Sequence, residues 1–188
     1  MTASQRDRSI HKYLTEHVRY TTGDAHAAAL HDAIARFRKA LILLPMQTTD
    51  LFLSGLINLT VRIESDPGLP LGMRTTCEGP SDARRYSIVL YEEHLHMTED
   101  VFIGSFLRQL AHVVAGQPPE EEWPTSRFER AGFKEMMEHQ ADALVWKWGL
   151  KEYSMRYIAA TYPPHRVDLI MDEIERIVNE GPCQSGPH

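Results

Sequence analysis

The sequence predicts a mostly helical α+β domain with one small β-sheet, packed on the helix that carries the candidate site. Three observations lead to this prediction. Most apolar residues recur at helical spacing, only two short runs alternate with the period of a β-strand, and glycine, proline or polar turn residues separate these segments. With 188 residues, of which 43% are hydrophobic, the chain is long enough to bury one sizeable core.

Seven helices are predicted from apolar periodicity and from residues that begin or end a helix. Pro45, Gly116 and Gly149 mark three of the ends, and Thr98 can cap one beginning. The predicted helices span residues 5–20, 25–44, 48–56, 99–115, 133–148, 151–161 and 165–179. A polar connection that contains proline, residues 117–130, separates the fourth helix from the fifth.

Two strands are predicted between the third and fourth helices. Residues 59–63 alternate between apolar and polar and are followed by turn residues at 66–68. Residues 85–91 are rich in β-branched and aromatic side chains. We expect these two strands to pair in a small sheet, and the glycine- and proline-rich run between the turn and Pro80 to form a loop.

The order of these segments suggests three parts of the chain. Residues 1–46 form an N-terminal helical segment, residues 47–181 form the domain that carries the candidate site, and residues 182–188 form a disordered tail. We see neither an internal repeat nor a low-complexity segment.

Charge and composition exclude several classes of function. The formal net charge of -6 gives no global positive field for nucleic acid or an anionic membrane. The longest apolar run, residues 40–46, is much shorter than the roughly 20 residues that span a bilayer. Cys77 and Cys183 show neither a disulfide framework nor a cysteine zinc spacing. We therefore expect a soluble cytoplasmic protein that binds neither nucleic acid nor membranes.

The predicted fourth helix carries Arg108-Gln109-Leu110-Ala111-His112. Residues four apart lie on one helix face, so zinc peptidases place two histidines at this spacing, with a glutamate beside the first as general base. In this chain only the second histidine, His112, is present. Arg108 and His112 are predicted to lie roughly opposite the apolar stripe and to point into a cleft or into water.

The predicted fifth helix carries Glu138-His139-Gln140-Ala141-Asp142, and here the chain resembles the gluzincin family of zinc metallopeptidases. The resemblance covers residues 86–150. It implies a zincin-like arrangement of residues 47–181, with Glu138 as the third zinc ligand. It further implies that Asp142 orients an active-site histidine and that strand 86–91 is the edge strand beside the active site.

Two departures from the family pattern argue against peptidase activity. Arg108 stands in place of the first zinc ligand, and Gln109 stands in place of the catalytic glutamate. Arginine cannot ligate zinc, and a glutamine amide cannot take a proton from metal-bound water as a carboxylate does. We therefore expect a degenerate, non-catalytic pseudopeptidase. As a hypothesis, the Arg108 guanidinium forms an ion pair with Glu138, with Asp142 adjacent.

The sequence leaves three functions open. The first is a non-catalytic protein without a cofactor that binds a protein, a peptide or a small ligand in the inherited cleft. The second is a metal-dependent hydrolase with a rearranged site, in which His112 and Glu138 bind zinc. Its remaining ligand would come from one of three histidines: His94, His96 and His139. The third is an enzyme of another class, in which Arg108 binds a carboxylate or phosphate of the substrate.

Overall fold

Seven α-helices and four β-strands make up the part of the chain that the computed structural model describes, namely residues 2–20, 27–64, 73–80 and 84–180. The helices are α1 (Ala3–His17), α2 (Ala27–Leu43), α3 (Met46–Leu53), α4 (Glu99–Val114), α5 (Arg127–Lys147), α6 (Lys151–Thr161) and α7 (Pro164–Glu180). The strands are β1 (Val18–Tyr20), β2 (Asn58–Glu64), β3 (Arg74–Glu78) and β4 (Arg85–Tyr91). The predicted mostly helical α+β class is confirmed. None of the described helices is long and apolar enough to cross a membrane.

The sheet has the strand order β1-β2-β4-β3. β1 pairs with β2 and β2 pairs with β4 in parallel, whereas β3 pairs with β4 in antiparallel orientation. The predicted pairing of the two longer strands is thus confirmed, with Val61 opposite Ile88. Leu59, Val61 and Ile63 of β2 are all buried, because alternate residues of a strand face the same side of the sheet.

Two strands lie where the sequence predicts other structure. β3 falls in the run to Pro80 that was predicted to be a loop, so that prediction is wrong for these residues. Its five residues alternate in burial, and Thr75 and Cys77 face the interior, but a strand this short gives a weak sequence signal. α1 ends at His17 instead of continuing to residue 20, and β1 follows it directly.

A single core joins the N-terminal helices to the sheet and to α4. The Phe37 ring of α2 lies 5.5 Å from the Phe102 ring and 4.4 Å from the Phe106 ring of α4, measured between ring centroids. Ile10 of α1 and Ile88 of β4 belong to the same buried cluster. The predicted boundary after residue 46 therefore falls inside one continuous core. The predicted tail, 182–188, lies outside the described residues.

α4 is the central helix, and every residue from Phe102 to Val113 is buried. One cause is a close approach of α6 at Gly104, where a Cβ atom would lie 2.2 Å from the backbone oxygen of Tyr153. Only glycine allows the two backbones to come this close. The polar face of α4 is therefore covered by neighbouring helices and does not face water.

α5 begins at Arg127, earlier than the predicted start at residue 133. Ser126 provides the start signal, because its side chain accepts a hydrogen bond from the backbone N–H of Glu129 at 3.2 Å. The longer helix shortens the connection after α4, part of which is a 3-10 helix, Glu120–Glu122. α2, α4, α6 and α7 agree closely with their predicted bounds.

Candidate functional site

The candidate site is a cleft of about 330 Å³ between β3 and helices α4, α5 and α6. We call Arg108, Gln109, His112 and Glu138, which line its base, the cleft floor. The first three of these residues are 2%, 3% and 5% exposed, whereas the Glu138 side chain is 26% exposed, so water reaches the floor mainly at Glu138. The structure thus brings together the four residues that the sequence singled out at positions 108, 109, 112 and 138.

Arg108 is held by two carboxylates of α5. Its Nε atom donates to Asp142 Oδ1 at 3.1 Å, and its Nη2 atom donates to Asp142 Oδ2. Its Nη1 atom lies 3.1 Å from Glu138 Oε2. The ion pair with Glu138 that the sequence suggested is present, and the stronger two-point contact is with Asp142. Burial disfavours the charged form, but both carboxylates hold the pKa of Arg108 above its ordinary value.

Asp142 is fully buried and has two partners. Besides the Arg108 fork, it accepts a hydrogen bond from Ser154 Oγ of α6 at 3.0 Å. A buried carboxylate is costly unless it is paired and hydrogen-bonded, and here both conditions are met. The resemblance to the peptidases implies that this carboxylate orients a histidine. In the structure it orients an arginine.

Glu138 connects the arginine to the histidine. The same atom, Oε2, lies 3.1 Å from Arg108 Nη1 and 3.4 Å from His112 Nε2. Burial would raise the pKa of Glu138, but the hydrogen bond and charge of His112, followed by the charges of Arg108 and Lys134, lower it to about 2. Glu138 is therefore an anion at neutral pH, and its carboxylate contacts both Arg108 and His112.

Gln109 faces the edge strand of the sheet. The Thr75 hydroxyl lies 3.1 Å from the side-chain oxygen and 3.2 Å from the backbone oxygen of Gln109, so it can donate to either acceptor. This contact places β3 beside the cleft. The expectation that strand 86–91 is the edge strand is therefore wrong, since β4 is an inner strand between β2 and β3.

Two tyrosines close the cleft above Arg108. The centre of the guanidinium lies 4.7 Å from the Tyr157 ring and 6.0 Å from the Tyr162 ring. Aromatic faces attract a cation at these distances. Together with the two carboxylates, they surround the arginine with favourable contacts inside the protein.

The other candidate histidines do not join the cleft floor. His94 is buried, and its Nδ1 atom lies 2.9 Å from the backbone N–H nitrogen of Tyr91, which donates to it. His96 is exposed, and His139 lines a neighbouring pocket beside α7, which shares Glu138 and Tyr162 with the cleft. Within the described ranges, no group of three or more His, Cys, Asp or Glu side chains is placed to hold a metal ion.

The cleft floor also fits zinc poorly for a reason of charge. His112 and Glu138 are the two candidate ligands that come together, and the Glu138 oxygen nearest His112 also contacts Arg108. A dication bound between His112 and Glu138 would lie next to the guanidinium, which repels it. The positive charge that the carboxylates need is already supplied by Arg108.

Two polar contacts that shape this site, those of Ser154 and Thr75, were not predicted from the sequence. Ser154 lies with Tyr157 and Ile158 on the buried stripe of α6, and a serine on such a stripe is a signal that a buried polar partner exists. Thr75 gave no comparable signal, because the strand that carries it was not predicted.

Comparison of the chain with protein-family models, with curated proteins and with solved structures finds no match. The resemblance of residues 86–150 to the gluzincin family therefore stays a prediction from the sequence.

Proposed function

We propose that this chain is a zincin-like pseudopeptidase that binds a peptide or a peptide segment of a protein and does not cleave it. One observation carries the proposal. The buried guanidinium of Arg108 contacts Glu138, where the resemblance would place a metal ligand, and Asp142, where it would place the carboxylate that orients an active-site histidine. The Arg108 guanidinium would then supply the positive charge that a metal ion gives to these carboxylates. Unlike a metal ion, it cannot activate water.

The side chain and contacts of Gln109 support a protein that does not hydrolyse peptides. This residue stands where the family has its general base, and its neutral amide cannot accept a proton from water. It is instead engaged with Thr75 of β3. The two residues on which hydrolysis depends have thus become structural links, one to α5 and one to the sheet.

The edge of the sheet supports a peptide as the ligand. Among the described residues, β3 pairs with β4 on one side and with no strand on the other. An unpaired edge can accept an extended peptide as an additional strand through backbone hydrogen bonds. Met73, Arg74 and Thr75 also line the cleft, so a peptide on this edge would place side chains in it.

The geometry weakens the alternative in which Arg108 binds an anionic substrate. All three guanidinium nitrogens already contact carboxylate oxygens, and the residue is 2% exposed. An incoming anion would have to displace Glu138 or Asp142 from a favourable ion pair. The rearranged zinc hydrolase needs the same displacement, with the metal in place of the anion.

Metal analysis tests the non-catalytic half of the proposal. After equilibration with zinc and buffer exchange, we expect far less than one zinc per chain and no change in the unfolding temperature on adding a chelator. Stoichiometric zinc, with a loss of stability on chelation, would favour the hydrolase and contradict the proposal.

Hydrogen exchange tests the binding half. We expect peptides selected from a random display library on the purified protein to slow amide exchange in β3. β1, at the opposite edge of the same sheet, provides the control and should not change. Protection confined to another surface, or a failure to select any peptide, would contradict peptide binding at this edge.

A further inference from the structure

The charges that line the cleft are not balanced. Two glutamates line it, and each contacts a cation of the chain itself. Glu138 contacts Arg108 and His112, and Glu120 accepts a hydrogen bond from Arg130 at 2.7 Å. Neither carboxylate therefore needs a positive charge from a ligand.

Two further cations line the same cleft at exposed positions. Arg74 of β3 and Lys134 of α5 form no direct ion pair with any described residue, and the charge of Lys134 contributes to the lowered pKa of Glu138, four residues later on α5. We call these two residues the cleft rim. The other cation of the cleft, Arg108, is paired with two carboxylates, Glu138 and Asp142. The lining residues and their ionic partners together hold four cations and three carboxylates, so the net charge of the cleft is positive, and its two exposed cations come from opposite sides, the sheet and α5.

This local balance is opposite to that of the whole chain, whose formal net charge is -6. On an acidic protein, two unpaired cations at the mouth of one cleft favour anionic ligands there and disfavour cationic ones. We infer that the ligand of the cleft is an acidic peptide segment, with carboxylates that pair with Arg74 and Lys134. This inference rests on the proposed peptide-binding function and adds the chemical class of the peptide.

The shape of the cleft suits such a segment. A volume of about 330 Å³ has room for a small part of a peptide, not for a folded domain. In an extended peptide, alternate side chains point to the same side, so acidic residues in alternate positions can reach the two cations. Trp123 and Tyr162 also line the cleft, so part of its wall is aromatic.

A comparison of three short peptide libraries tests the inference. The libraries share their apolar positions and differ at the remaining ones, which carry Asp and Glu, Asn and Gln, or Lys and Arg. We expect the acidic library to be selected on the full-length protein and its affinity to fall as salt screens the charges. Replacing both rim cations, by Arg74→Glu with Lys134→Glu, should lower the affinity for acidic peptides roughly tenfold or more.

Arg8→Glu combined with Lys12→Glu provides the matched control, since it makes the same charge change on two exposed residues of α1 that do not line the cleft. It should leave the affinity nearly unchanged. Equal selection of the three libraries, or a preference for the basic one, would overturn the acidic specificity while leaving peptide binding intact. An equal loss of affinity in the variant with both α1 replacements would also overturn it. If no library binds, both the inference and the proposed function fail.

Discussion

The cleft floor and the cleft rim use charge in opposite ways. On the floor, Arg108 is 2% exposed and each of its guanidinium nitrogens contacts a carboxylate. On the rim, Arg74 and Lys134 are exposed and form no direct ion pair with any described residue. Because a buried charge must be paired inside the protein whereas an exposed one need not be, the floor stabilises the fold and the rim is available to a ligand.

Removal of the buried cation should have the largest effect. Arg108→Met keeps most of the side-chain length but leaves Asp142, which is 0% exposed, without its counter-charge. We expect the free energy of unfolding to fall by about 3 to 5 kcal/mol, as for other broken buried pairs. Chemical denaturation measures this loss.

Arg176→Met provides the control for the first prediction. Arg176 also contacts two glutamates, but its side chain is 42% exposed. Its removal should cost about 1 kcal/mol or less, because water screens such pairs. If both variants lose the same free energy of unfolding, burial does not make the ion pairs of Arg108 more important for stability than those of the exposed Arg176. Adding Asp142→Asn to Arg108→Met should recover part of the loss, since it removes the uncompensated charge.

The close backbone contact between α4 and α6 at Gly104 gives the second prediction. Gly104→Ala places a Cβ atom 2.2 Å from the Tyr153 backbone oxygen, so α6 must move away from the floor that it covers. We expect a loss of about 2 to 3 kcal/mol. Gly132→Ala in α5 is the matched control, because no heavy atom lies within 4 Å of the new Cβ. It should be neutral or stabilise by about 0.5 to 1 kcal/mol, and an equal loss in both variants would contradict the account.

The pH dependence of stability gives the third prediction. The pKa of Glu138 falls from 4.5 in the unfolded chain to about 2 in the folded protein. A lowered folded pKa stabilises the protein above pH 4.5, and this contribution is lost as the pH falls from there through about 2. The upper bound of the contribution is about 3 kcal/mol. Acid unfolding of wild type and of Glu138→Gln should therefore differ in slope over this range, and parallel curves would show that Glu138 is not held as an anion.

The sequence predicted the floor better than its surroundings. The spacing of residues 108, 109 and 112 on one helix and of residues 138 and 142 on the next is local, so it could be interpreted without a structure. The burial of Arg108, the fork to Asp142 and the position of Thr75 depend on how α4, α5, α6 and β3 pack together. No local pattern encodes them, and the edge strand was missed because its five residues are flanked by glycine and proline.

The smallest effect on stability is expected at the rim. Arg74→Glu removes no ion pair and no buried group, so it should change the free energy of unfolding by less than about 0.5 kcal/mol. Lys134→Glu also places a second carboxylate four residues before Glu138, so its loss should be larger by about 0.2 to 0.5 kcal/mol. Both should still weaken the binding of acidic peptides. A large loss of stability in either variant would show that the rim is part of the fold and would remove the contrast with the floor.

Restoration of the metal motif tests the central claim most directly, namely that Arg108 replaces a metal ion. Arg108→His combined with Gln109→Glu recreates His-Glu-x-x-His ahead of Glu138. Without zinc we expect this variant to be less stable than wild type, because Asp142 loses its counter-charge. Zinc should bind stoichiometrically and restore much of the stability, whereas wild type should show no response to zinc. A variant that ignores zinc, or a wild type that binds it equally well, would contradict the account.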